Sequence, residues 1–196
     1  MKDFEGKAKA MEKVRKLARM IHPAHNLEGH ILPVVAMSVE LAKELNADVE
    51  IAEMGALLHD AGRVRFGCYK HEITGAHYCR IKLWQYGFPK AEAARIIECV
   101  RCHRSGADSK PSSIEARIVA NADALSHFEC ALYLFSIRYS STKNLKDTIG
   151  WLRDKLSRDL RHKLTLKPSR ERAIQSYRLY IKPLLNKADL YCRQEI

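Results

Sequence analysis

The stretch Val49-Glu50-Ile51-Ala52-Glu53-Met54-Gly55-Ala56-Leu57-Leu58-His59-Asp60 decides how the chain is read. Ten residues rich in apolar side chains run without a turn signal into an adjacent imidazole and carboxylate. The apolar part is long enough for a buried helix. A His and an Asp at its end are expensive to bury unless they are paired or bound to metal. Nitrogen and carboxylate oxygen together suit a divalent ion such as Mn, Fe, Co, Ni, Zn or Mg.

Working outward, the hydrophobic period stays helical. Residues 7–21 place Met11, Val14, Leu17, Ala18 and Ile21 on one face, and 28–46 do the same with Leu32, Val35, Val39 and Ala42. Gly62 and Gly67 predict a loop after Asp60. Helices are predicted over 74–86 and 89–103, parted by Gly87-Phe88-Pro89. Ser105 to Pro111 reads as a loop. A helix follows over about 113–138, with a break near Asn121. Basic helices over about 142–161 and 169–192 close the chain, with a kink at Pro183. No stretch reads as a strand. The fold class predicted is all-α: a single-domain helical bundle over 1–196, with its core in 22–138 and basic helices 139–196 packed on it.

Composition narrows the function classes. The chain has 196 residues, 46% hydrophobic and 29% charged, with no repeat or low-complexity segment. No apolar run reaches bilayer length, and the N-terminus has no apolar secretory core. A cytoplasmic protein is expected, without membrane association, its six cysteines (68, 79, 99, 102, 130 and 192) reduced. The net charge of +11 is uneven. Residues 1–20 carry seven basic and three acidic groups, 138–196 fifteen and six, and 21–137 twelve and fourteen. A solvated face is the first reading of the flanks and steering of an anionic substrate the second. Nucleic acid comes third, for want of a basic motif interleaved with aromatics. A homodimer is among the expectations.

Two further positions join the opening pair. His30 stands on the preceding amphipathic helix. Asp123 interrupts the apolar run Ile118-Val119-Ala120-Asn121-Ala122-Asp123-Ala124-Leu125 and needs a metal, a cation or a donor if it is buried.

The order His30, His59-Asp60, Asp123 resembles the HD superfamily of metal-dependent phosphohydrolases. The resemblance is carried by His30-Ile-Leu-Pro-Val-Val, Ala56-Leu-Leu-His59-Asp60-Ala-Gly62-Arg63 and Asn121-Ala-Asp123-Ala-Leu125, over about residues 22–138. It implies a helical bundle in which His30, His59, Asp60 and Asp123 bind one divalent metal. It also implies either a second metal on His71 and His103 with Asp60 bridging, or a role for those histidines in orienting a phosphate or a water. Two positions depart from the pattern: Asn121 stands where an Asp is frequent, and Arg63 where a Lys is.

The reaction implied is hydrolysis of a small phosphorylated substrate, a nucleotide foremost, by metal-activated water. Asp60, Arg63, Glu72 and Arg104 are the candidate catalytic residues: Arg63, Arg104 or Lys70 to clamp phosphate, Glu72 to orient His71 or act as base. Two rivals remain: a di-iron oxygenase on the same fold, and a nucleotide-sensing module without turnover. Cys99-Val-Arg-Cys102-His103 matches a haem-attachment pattern, but both cysteines read better as core residues. His25 is placed beside the site, while His22, His77, His127 and His162 read as core or surface. Trp84, Tyr86 and Phe88 read as packing.

Overall fold

The computed structural model describes the backbone of residues 2–104 and 110–194, and the side chains of 5–104 and 110–188. Every element among the described residues is helical, as the periodicity predicts. The predicted loop at 105–111 falls mostly on residues 105–109, outside the described ones, as does the side chain of Cys192. By its contacts the chain forms two compact units, Met1–Asp123 and Ala124–Ile196.

In the first unit α1 (Lys2–Ile21) leads to the short α2 (Ala24–Asn26). A π-helical turn (Leu27–Ile31) follows, then α3 (Leu32–Glu44), α4 (Val49–Leu58), α5 (Ala61–Phe66), α6 (His71–Tyr86) and α7 (Lys90–Cys102). Helix α8 (Ile114–Glu129) begins in this unit and ends in the second. Asp48 caps α4 by accepting from Glu50 N and Ile51 N at 3.1 and 3.2 Å.

Contacts along the helices fix their directions. A Cβ on Gly55 would lie 2.5 Å from Cys99 Cβ and 3.4 Å from Val119, so α4 lies tightly against α7 and α8. At the start of α4, Arg95 bridges Asp48 at 3.0 Å and Glu115 at 2.9 Å. The same offset of 44 residues that pairs Gly55 with Cys99 pairs His59 with His103, whose ring centroids are 5.2 Å apart. Helices α4 and α7 therefore run parallel, and α8 runs with them from Glu115 past Val119. Each delivers a candidate site residue to the same end of the unit. The core beneath that end is Ile31, Leu41, Ile51, Met54, Leu58, Leu83, Ile96 and Ile118, all buried.

The second unit contains the end of α8 and α9 (Ala131–Thr142), α10 (Leu145–His162) and α11 (Lys167–Ser176). A second π-helical turn (Tyr177–Ile181) and α12 (Lys182–Gln194) complete it. Ile149, Leu152 and Leu156 of α10 are buried at helical spacing. Inside the unit, Asp159 accepts from Lys155 at 2.5 Å and faces His127 Nδ1 at 2.7 Å. Arg172 grips Glu129 with two contacts of 2.9 Å.

Several sequence expectations need correction. The loop predicted after Asp60 is first a helical turn, α5, and only then a loop at Gly67 (φ 89°). Gly62 serves close packing instead of a turn. The break expected near Asn121 lies at Cys130: α8 is continuous through Asn121, whose Nδ2–H is donated to the Arg117 carbonyl at 2.8 Å. Trp84 is 79% exposed, whereas Phe88 is buried as expected. Pro183 follows a π-turn that ends two residues before it, and Pro33 has the same relation to the turn Leu27–Ile31. A proline lacks the N–H and its ring presses on the carbonyl four residues back, so a widened turn relieves both.

Candidate metal centre

His59 terminates α4 and Asp60 lies at the junction with α5. Both are buried. His59 Nδ1 lies 2.7 Å from the Ala56 carbonyl. His71 begins α6, with Nδ1 3.0 Å from the Cys68 carbonyl. His103 follows α7, with Nδ1 2.7 Å from the Val100 carbonyl. Each ring is thus tied to the carbonyl three residues before it. That tie makes Nδ1 the donor and leaves a lone pair on Nε2.

The Nε2 atoms converge. His30 Nε2 is 3.2 Å from His59 Nε2, and His71 Nε2 is 3.1 Å from His103 Nε2. Asp60 lies between the pairs. Its Oδ1 is 3.2 Å from His71 Nε2 and 3.7 Å from His103 Nε2, and its Oδ2 is 3.8 Å from His30 Nε2. Asp123 Oδ1 is 3.5 Å from His30 Nε2. Two of the possible donor groups, His30–His59–Asp60 and Asp60–His71–His103, share Asp60.

Lone pairs and carboxylates facing one another inside a protein repel unless something positive lies among them. Added protons or a divalent cation relieve it. The donor set of imidazole nitrogens and carboxylate oxygens, anchored from behind by main-chain carbonyls, fits such a cation. Burial alone would push the Asp60 carboxyl up. The His71 contact and the fields of His59, His103 and His30 outweigh burial and hold it well below the usual carboxylate range. Asp60 is therefore an anion throughout the physiological range.

Local structure explains the precision. A Cβ on Gly62 would lie 2.1 Å from the His71 carbonyl oxygen and 2.5 Å from Gly75 N, so only glycine lets α5 touch α6. That contact holds Asp60 beside His71. Lys70, just before His71, adopts a left-handed conformation (φ 45°), at a cost of about 1 kcal/mol for a residue with a Cβ. His30 lies in the first π-turn, a type of distortion frequent at functional sites.

The structure thus brings together His30, His59, Asp60, Asp123, His71 and His103. Arg63 Nη1 approaches Asp60 Oδ2 at 3.7 Å, half-exposed. Glu72 accepts from Arg104 Nη1 at 3.1 Å. His71 takes its support from the Cys68 carbonyl, and Glu72 pairs with Arg104. His25 is exposed. Cys99 and Cys102 are buried core residues and their thiols are free. The carbonyl anchors of Ala56, Cys68 and Val100 escape sequence reasoning because backbone groups carry no residue signature.

The HD domain family model matches residues 27–127, more than half of the chain. The chain belongs to the HD domain family. Ribonuclease Y of Symbiobacterium thermophilum is 35% identical over 103 residues, which are 52% of this chain and 18% of that protein. The tRNA (cytidine(56)-2'-O)-methyltransferase of Thermoplasma volcanium is 32% identical over 113 residues, 50% of this chain and 31% of that protein. The HD chain spans about a fifth of the length of the ribonuclease Y relatives. Bacillus subtilis YpgQ in complex with ADP superposes with a TM-score of 0.71 at 19% identity, over 94% of this chain and 96% of that one. A predicted HD superfamily hydrolase from an uncultured Thermotogales bacterium gives a TM-score of 0.63 at 20% identity, over 94% and 92%. These structural likenesses concern the fold. No described helix is long and apolar enough to cross a membrane.

Proposed function

We propose that this HD domain protein is a divalent-metal-dependent phosphohydrolase acting on a nucleotide or another small phosphate ester or anhydride, in the cytoplasm. The observation that carries the reading is the convergence of four imidazole Nε2 atoms on the carboxylate of Asp60, three of the rings being anchored through Nδ1. A divalent cation bound there lowers the pKa of water and polarises a phosphoryl oxygen.

The chain's own residues do the rest. Asp60, ionised and shared by both donor groups, holds them in register. Arg63 and Arg104 offer planar, bidentate donors to phosphate oxygens as charge moves onto the leaving group. Glu72 fixes Arg104 for that task. Its own carboxyl, raised by burial but lowered further by backbone and Arg104 contacts, lies below the ordinary range. That suits a positioning anion better than a proton acceptor near neutral pH.

Similar proteins support the class: ribonuclease Y is named for cleaving RNA, and YpgQ has been solved with ADP. The test is a His59→Ala, Asp60→Ala variant assayed for metal content and for turnover of a panel of nucleotides and phosphate esters. Loss of both is expected; metal retained at full stoichiometry overturns the reading. The donor group on His71 and His103 also keeps a di-iron oxygenase in play. Oxygen uptake by iron-loaded protein, without phosphate release from any substrate, would favour that instead.

A further inference from the structure

The segment Arg63-Val64-Arg65-Phe66-Gly67-Cys68-Tyr69-Lys70 lies between two metal-centre residues, Asp60 and His71. All eight of its residues are exposed. It carries three cations, two aromatic rings and no acid. Phe66 is 57% exposed and Tyr69 80%. Cations accompany the rings: Lys70 Nζ is 5.5 Å from the Tyr69 ring centre. Phe66 meets Tyr78 of α6 edge-on at 6.0 Å, and Tyr78 has Arg65 at 5.8 Å and Lys82 at 5.9 Å. The short basic and aromatic run is a signal that overall charge counts conceal.

Exposed single aromatics are ordinary, but rings interleaved with cations form a particular surface. A purely apolar partner gains nothing from the cations. A simple phosphate gains nothing from the rings. A ligand that is both flat and anionic uses both, and a nucleobase joined to phosphate is such a ligand. The segment's position sets the geometry. Arg63 reaches toward Asp60, and the Cys68 carbonyl holds His71, so a base on Tyr69 or Phe66 is tied to the phosphate end by one short stretch of chain.

We infer that Arg63–Lys70 is a nucleobase-stacking rim of the proposed hydrolase site, with Tyr69 and Phe66 as the stacking faces and Arg65 and Lys70 as phosphate contacts. This rests on the phosphohydrolase reading for its placement, yet it is tested by binding, which needs no turnover. The base comes from a free nucleotide or from single-stranded nucleic acid.

The experiment measures calorimetric binding of AMP, of a single-stranded hexa-adenylate and of ribose 5-phosphate to the Mn²⁺-loaded full chain. Wild type is compared with Tyr69→Phe, with Tyr69→Leu and with the double variant Phe66→Leu, Tyr69→Leu. Wild type is expected to prefer a base-bearing ligand over ribose 5-phosphate. Losing one stack should cut that preference roughly 5- to 100-fold in Tyr69→Leu, while Tyr69→Phe keeps it. A preference confined to AMP assigns the rim to free nucleotides; one strongest for the hexamer assigns it to single strands. The inference is overturned if wild type shows no preference for the base with either ligand. It is also overturned if the double variant keeps the preference, or if all three ligands weaken by the same factor. Hydrolysis assayed in parallel separates the two ideas: base preference without turnover sinks the hydrolase and leaves the rim standing.

Discussion

His71 and His103 meet through their Nε2 atoms at 3.1 Å, although each ring already commits its Nδ1 to a main-chain carbonyl. Rings so anchored turn Nε2 toward Nε2, an arrangement that needs a shared proton or a cation between them. The Asp60 carboxylate, 3.2 Å from one and 3.7 Å from the other, adds negative charge to the same point.

The first prediction is metal stoichiometry. Elemental analysis of protein purified with Mn²⁺ should give two ions per chain, and one in a His71→Ala, His103→Ala variant. Chelation should lower the melting temperature of wild type, since an ion at 100 to 1,000 times its Kd stabilises the folded state by about 3–4 kcal/mol. One ion in both proteins would show that these histidines serve another purpose.

Gly62→Ala should damage the centre without touching a ligand. Its Cβ would fall 2.1 Å from the His71 carbonyl oxygen, a backbone atom that cannot swing aside. Overpacking of this kind costs about 1–3 kcal/mol. Separation of α5 from α6 should lower metal affinity at least tenfold. A Gly62→Ala protein with wild-type melting and metal content would contradict the close contact.

Arg104 and Glu72 should behave as one unit. Arg104→Ala is expected to lower kcat/KM by roughly 100-fold, the scale of one lost electrostatic contact in a transition state. Glu72→Gln should cost less, and the double variant no more than Arg104→Ala alone. Additive losses would separate the two roles.

The second unit gives a prediction about pH. Burial raises the Asp159 carboxyl, but His127 and Lys155 together lower it below its ordinary value. A depressed carboxyl contributes stability that is whole above the unfolded value, near pH 4, and is lost as pH falls through the folded value. Asp159→Asn should therefore destabilise by about 3 kcal/mol at pH 7, the low end for breaking a buried pair because Lys155 is part-exposed. The difference from wild type should shrink as urea melts are taken from pH 5 toward pH 2. An unchanged difference over that range would remove Asp159 as its source.

Much of this was written in the primary sequence. The helical period of 3.6 identifies nearly every element because burial of one face imposes it locally. The adjacent His59-Asp60 and the lone carboxylate of Asp123 stand out because charge in an apolar run demands a partner. The cost of a buried polar group is a property of the residue and its neighbours in sequence, so it shows before folding.

Other features depend on distance through space. The offset that sets His59 beside His103 follows from Gly55 admitting Cys99, a contact between residues 44 positions apart. The helical reach of α5 past Gly62, the continuity of α8 through Asn121 and the exposure of Trp84 were decided by neighbours that no local pattern specifies. So were the carbonyl anchors, which any residue type can provide. The sequence by itself determined an all-helical chain with histidines and carboxylates in a telling order. Only the tertiary structure decided that Asp60 is shared between two donor groups, because that depends on three helix ends meeting within a few ångströms.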